Sequence, residues 1–103
     1  MSDKRYEVII SERAMNMLAS HVRFLAQVSK NAASKLRDEI ISEMQSLDYM
    51  PESYQWLNNE YIPANKYRKK LVGKRYLLIY QIVDSTVYID YVLDCRQDYG
   101  WLL

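Results

Sequence analysis

The sequence predicts an α+β fold of order β-α-α-β-β-β, in which an N-terminal helical hairpin packs on a small, mainly antiparallel twisted sheet. Three observations predict it: a β-branched opening run, two amphipathic helical periods in succession, and three alternating runs near the C-terminus joined by tight turns. At 103 residues, half of them apolar and with only two Gly and two Pro, the chain has the length and composition of one folded domain spanning 1–103.

The first strand is read in "YEVII", residues 6–10. Ser11 then stands where a helix N-cap belongs, with Glu12 placed favourably in the first turn. Ala14, Leu18, Val22, Leu25 and Val28 recur at three- and four-residue spacing, joined by Met15 and His21, which describes a helix of about five turns. "SKN" interrupts it. Ala33, Leu36, Ile40, Met44 and Leu47 repeat the pattern, with Arg37, Asp38, Glu39 and Glu43 on the other faces, so the two helices form an antiparallel hairpin.

From Asp48 to Lys66 no period is evident. This stretch holds both prolines together with Tyr49, Tyr54, Trp56, Leu57 and Tyr61. So long a connection in a small domain either packs down or binds something. Three strands follow: "YRKKLV", the turn "GK", "RYLLIYQIV", the turn "DS", and "TVYIDYVLD". Alternation places Leu77, Ile79, Val87, Ile89, Tyr91 and Leu93 on one face as the expected seat of the hairpin. The opposite parity holds Tyr76, Leu78, Tyr80, Tyr88, Asp90, Val92, Asp94 and Arg96.

Charge is concentrated. Residues 66–75 carry Lys66, Arg68, Lys69, Lys70, Lys74 and Arg75 with no acid, so removing these six positive charges from a net +1 leaves the other residues at −5. Such a patch suits a polyanion or an acidic partner, beside the plainer role of lysines that keep an edge strand from pairing with its neighbours. His21 and Cys95 are alone of their kinds, which excludes the usual zinc constellations, and no cofactor is expected. The N-terminal "MSDKRYEVII" has no apolar h-region and no apolar run is long enough for a bilayer, so a cytoplasmic protein with no membrane partner is expected.

Two longer stretches carry a resemblance. "YRKKLVGKRYLLIYQIVDSTVYI" and the closing "VLDCRQDYGWLL", in this order behind a helical hairpin, resemble the RelE/ParE superfamily of bacterial toxins from type II toxin–antitoxin modules, also called plasmid stabilisation proteins. The likeness covers nearly the whole chain. It implies growth inhibition by the free protein, neutralisation by a cognate antitoxin, and a toxin–antitoxin hetero-oligomer.

The superfamily divides over its target, so the resemblance implies either DNA gyrase or the ribosome with its mRNA. In the RelE-like branch, metal-independent RNA cleavage uses basic residues on the strand matched by "YRKKL", an arginine on the next strand, a late arginine and a terminal tyrosine. Residue by residue, this carries a catalytic role over to Arg68, Lys70, Arg96 and Tyr99. Tyr76 replaces the expected middle-strand arginine, with Arg75 one place earlier and so on the other face. That gap, and a tail in which Asp98 pairs with Arg96 while Trp101, Leu102 and Leu103 dock, lean toward ParE-like, non-catalytic inhibition of gyrase. A ribosome-dependent mRNA endonuclease is the alternative, and a non-toxic module that only binds the antitoxin is a third.

Overall fold

The computed structural model describes residues 5–58 and 60–95. Strand β1 (Glu7–Ile10) leads into helices α1 (Glu12–Ala26) and α2 (Lys30–Gln45). After single 3-10 turns at Ser46–Asp48 and Pro51–Ser53 come β2 (Arg68–Val72), β3 (Tyr76–Val83) and β4 (Thr86–Asp94). The sheet runs β1-β4-β3-β2, with β1 parallel to β4 and the other pairs antiparallel. Two parallel neighbours need a long crossover, and the hairpin begins it.

Capping fixes where the helices begin. The Ser11 hydroxyl accepts from Ala14 N at 2.9 Å and that of Ser29 from Ala32 N at 3.1 Å, each bond worth about 1 kcal/mol. α1 ends at Ala26, so Val28 lies beyond it at 84% exposed, and Met15 is also largely outside the core. The buried stripe is narrower than its period implied: Ala14 and Leu18 are buried on α1 and Ala33, Ile40 and Met44 on α2.

In β3 and in β4 beyond Ile89 the sheet presents the face opposite to the one expected. Tyr76, Leu78 and Tyr80 of β3, with Val87, Ile89 and Val92 of β4, belong to the core beneath the helices. Ile79 pairs with Tyr91 but Tyr80 pairs with Ile89, so Asp90 is an extra residue that reverses the parity of the second half of β4. Val87 and Ile89 therefore face inward as expected, whereas Tyr91 and Leu93 do not. In β3 both parities are apolar, and the tyrosines take the core side. Tyr80 is fully buried and donates its hydroxyl to Pro51 O at 2.6 Å, which satisfies the one polar atom it brings inside.

Side chains of α1 close the stretch of β4 that β1 does not reach. β1 stops at Ile10 opposite Ile89, and just beyond, Arg13 Nε donates to Asp90 O at 3.3 Å and His21 Nε2 bonds Val92 O at 2.8 Å. A carbonyl only accepts, so His21 carries its proton on Nε2. At the far edge the long connection packs down: Lys69 N donates to Gln55 O at 3.0 Å and Leu57 N to Tyr67 O at 2.8 Å. Between β2 and β3, Gly73 and Lys74 adopt φ of 61° and 65°. A Cβ on Gly73 would meet only the movable end of the Glu39 side chain, at 2.9 Å from Oε1, so it is the left-handed conformation that selects glycine.

Among the described residues no helix is long and apolar enough to cross a membrane.

Candidate functional site

Strand alternation divides the basic cluster. Arg68 pairs with Tyr80, Lys70 with Leu78 and Val72 with Tyr76, so these three β2 side chains lie on the helix side of the sheet. Lys69 and Leu71 project to the other side. The six positive charges do not form one surface.

Arg68 is engaged internally. Its Nη1 donates to Tyr54 O at 2.6 Å and Glu52 O at 3.0 Å, and its guanidinium lies 3.7 Å from the Trp56 ring centroid. Planar, forked and always charged, it clamps the aromatic connection against β2. Lys70 is 7% exposed, and its Nζ donates to Glu43 Oε1 at 2.9 Å and Ser46 Oγ at 2.8 Å. Burying a lone ammonium is costly, and the carboxylate from α2 offsets that cost.

Arg75 corrects an expectation of parity. It sits in the turn before β3, not in the strand, and curls onto the Tyr76 side, where Nη2 bonds Asp94 Oδ2 at 3.2 Å. The Asp94 side chain is 5% exposed against 28% for Arg75. With Ser20, His21 and Phe24 of α1 these residues line a cleft of about 100 Å³. Tyr76 itself is 4% exposed, its ring tilted against that of His21 at 5.4 Å between centroids.

Lys66, Lys69 and Lys74 complete the set. Lys66 is exposed, with Nζ 5.3 Å from the Tyr67 ring centroid, and Lys74 is exposed at the turn. Lys69 lines a groove of about 620 Å³ with Ser53, Tyr54, Gln55, Leu71, Leu77 and Cys95. Burial raises the Tyr67 phenol above its ordinary range, the carboxylate of Asp90 and neighbouring Tyr91 adding to this while Arg13 opposes it. The Cys95 thiol is also raised, by burial first and Asp94 second, which makes it a weaker nucleophile.

Arg96 and Tyr99, carried over as catalytic residues, lie outside the described residues, as do Asp98, Trp101, Leu102 and Leu103. Of the described candidates, Arg68 and Lys70 share a face but are turned to internal partners, and Tyr76 is covered. RNA cleavage without a metal needs a base, an acid and a charge stabiliser presented to the substrate. Glu43, Asp94 and His21 were not foreseen at this site. No local spacing announces them, since Glu43 and Lys70 stand 27 residues apart in the chain.

Comparison with known proteins places the chain near one toxin family. A family profile described as "ParE toxin of type II toxin-antitoxin system, parDE" matches residues 8–99. A solved structure titled "Chromosomal ParDE TA system from P. aeruginosa" is similar with a TM-score of 0.73 at 11% sequence identity, over 88% of this chain and 97% of that one. No curated protein matches the sequence.

Proposed function

The chain belongs to the ParE toxin family of type II toxin–antitoxin systems, and from that premise we propose that it arrests bacterial growth by non-catalytic inhibition of DNA gyrase and is neutralised by a cognate antitoxin. The observation that carries the non-catalytic reading is the position of Arg68 and Lys70. Both give their donors to the protein itself, through Tyr54 O and Glu52 O in one case and Glu43 and Ser46 in the other. Tyr76, at the position where the nuclease branch carries an arginine, is buried beneath α1. Those members of the nuclease constellation that are described are engaged in internal contacts.

The antitoxin partner is supported by the toxin–antitoxin title of the similar structure. The whole chain acts as one toxin domain in the bacterial cytoplasm. A ribosome-dependent endonuclease is the second reading, favoured by one specific observation: Arg75 reaches the Tyr76 side and faces His21 across the cleft. Expression without the antitoxin, followed by mapping of fresh 5′ ends on translated messages, separates the two. Growth arrest with no new ends is expected, whereas new ends that vanish in Arg75→Ala would establish the nuclease.

A further inference from the structure

Left-handed backbone marks both ends of the connection between α2 and β2. Met50 has φ 50° and ψ 48°, and Asn65 has φ 61°. Asparagine tolerates that region because its short polar side chain bonds locally, whereas methionine brings no such group. The ring of Pro51 also pushes the residue before it toward extended backbone. Met50 is therefore strained, and it keeps this conformation only because its surroundings impose it.

Those surroundings are the contacts that hold residues 51–57. The carbonyl of buried Pro51 accepts from the Tyr80 hydroxyl at 2.6 Å, and Glu52 Oε2 accepts from the Tyr6 hydroxyl at 2.6 Å. Arg68 grips the Glu52 and Tyr54 carbonyls and carries the Trp56 ring. Trp56 in turn lies opposite Arg68 as an isolated antiparallel bridge, with Lys69 N on Gln55 O and Leu57 N on Tyr67 O. Ser53 closes the first turn of the segment on Met50 O, through its N at 3.1 Å and its Oγ at 2.8 Å, so this turn moves as one body. Ser53, Tyr54 and Gln55 border the open groove of about 620 Å³.

The grip itself is incomplete. Arg68 Nε is buried with no hydrogen-bond partner among the described residues. A buried donor left in that state opposes the closed arrangement, and water would satisfy it. Two loads, backbone strain at Met50 and an orphan donor on Arg68, thus work against a short bridge at the edge of the sheet.

We propose that residues 51–57 form a spring-loaded strap, hinged at Met50, that swings off β2 as a unit while the hairpin and the sheet stay folded. Opening relaxes Met50 and hydrates Arg68 Nε. It also uncovers Lys69 N, Tyr67 O and the Arg68 guanidinium, so this edge of β2 and its charged fork meet solvent only in the open state.

Native-state hydrogen exchange of the full chain, measured at rising urea below the unfolding transition, tests this. The Leu57 and Lys69 amides should exchange through one common opening with a shallow urea dependence, at least about tenfold faster than the slowest amides of β3. Ala33→Gly, which weakens α2, should hasten those β3 amides about fivefold and leave the two strap amides unmoved. Met50→Gly and Met50→Asn both accept left-handed backbone, and each should slow exchange of the strap amides about threefold. Strap amides that share the rate and urea dependence of β3 would overturn the strap as a separate unit. Unequal openings at Leu57 and Lys69 would replace it with simple fraying. Unchanged or faster exchange in both Met50 variants would overturn the spring.

Discussion

Lys70 on β2 and Glu43 on α2 form an ion pair at 2.9 Å in which the lysine side chain is 8% exposed and the carboxylate 37%. The two halves are not equivalent. Glu43→Ala strands a buried ammonium with Ser46 as its remaining polar side-chain partner, and is expected to cost about 3 kcal/mol. Lys70→Met leaves a carboxylate that water already reaches, and should fall within about 1 kcal/mol of the parent. Urea denaturation of the two variants measures the asymmetry; equal losses would mean that the pair is not held as described.

Arg68 holds the connection on the edge of the sheet. Arg68→Lys keeps the charge but loses the fork that reaches Glu52 O and Tyr54 O and the plane that stacks on Trp56. Losing charge-assisted bonds of roughly 1.5–3 kcal/mol should speed hydrogen exchange at the Leu57 and Lys69 amides by about tenfold or more. Unchanged exchange there would show that the edge holds without the clamp.

Much of this was legible in the sequence. Ser11, the two apolar periods and the "GK" and "DS" turns announced both helices and the strands, because capping, periodicity and turn chemistry are local, although α1 ends before Val28 and β3 begins after Arg75. The inner face of the sheet was not legible. Tyr76, Leu78 and Tyr80 compete with Leu77 and Ile79 on hydrophobicity alone, and nothing in "TVYIDYVLD" marks Asp90 as a bulge. The basic stretch misled for a similar reason. Counting Lys and Arg along ten residues takes no account of Glu43 and the Glu52 and Tyr54 carbonyls, which come from other elements and turn half of a charge cluster into internal bonding.

Alkaline pH should loosen the fold through Tyr80. Burial pushes its phenol far above the ordinary 10.0, outweighing the opposing pull of Arg68. The folded state then keeps a proton that the unfolded state releases, so this contribution is whole below the unfolded pKa and declines as pH rises above it. Unfolding free energy should therefore drop above about pH 10. Tyr80→Phe leaves Pro51 O without this donor, costs about 1–2 kcal/mol at neutral pH and flattens the alkaline decline. An unaltered pH profile in Tyr80→Phe would assign the decline to other groups.

The β2–β3 turn allows a paired test of opposite sign. Gly73 and Lys74 both have positive φ, one filled by the residue that tolerates it and the other by a residue with a Cβ. Gly73→Ala should destabilise by about 1–2 kcal/mol, whereas Lys74→Gly relieves left-handed strain and should stabilise by up to about 1 kcal/mol. Melting temperatures moving in the same direction for both would contradict the turn geometry.

The most direct measurement for the toxin account is DNA gyrase supercoiling of a relaxed plasmid with the purified protein, alone and after addition of its antitoxin. The account predicts concentration-dependent loss of supercoiling that the antitoxin reverses and that Arg75→Ala does not abolish. Full supercoiling at every concentration, from a folded protein that still arrests growth, would contradict it.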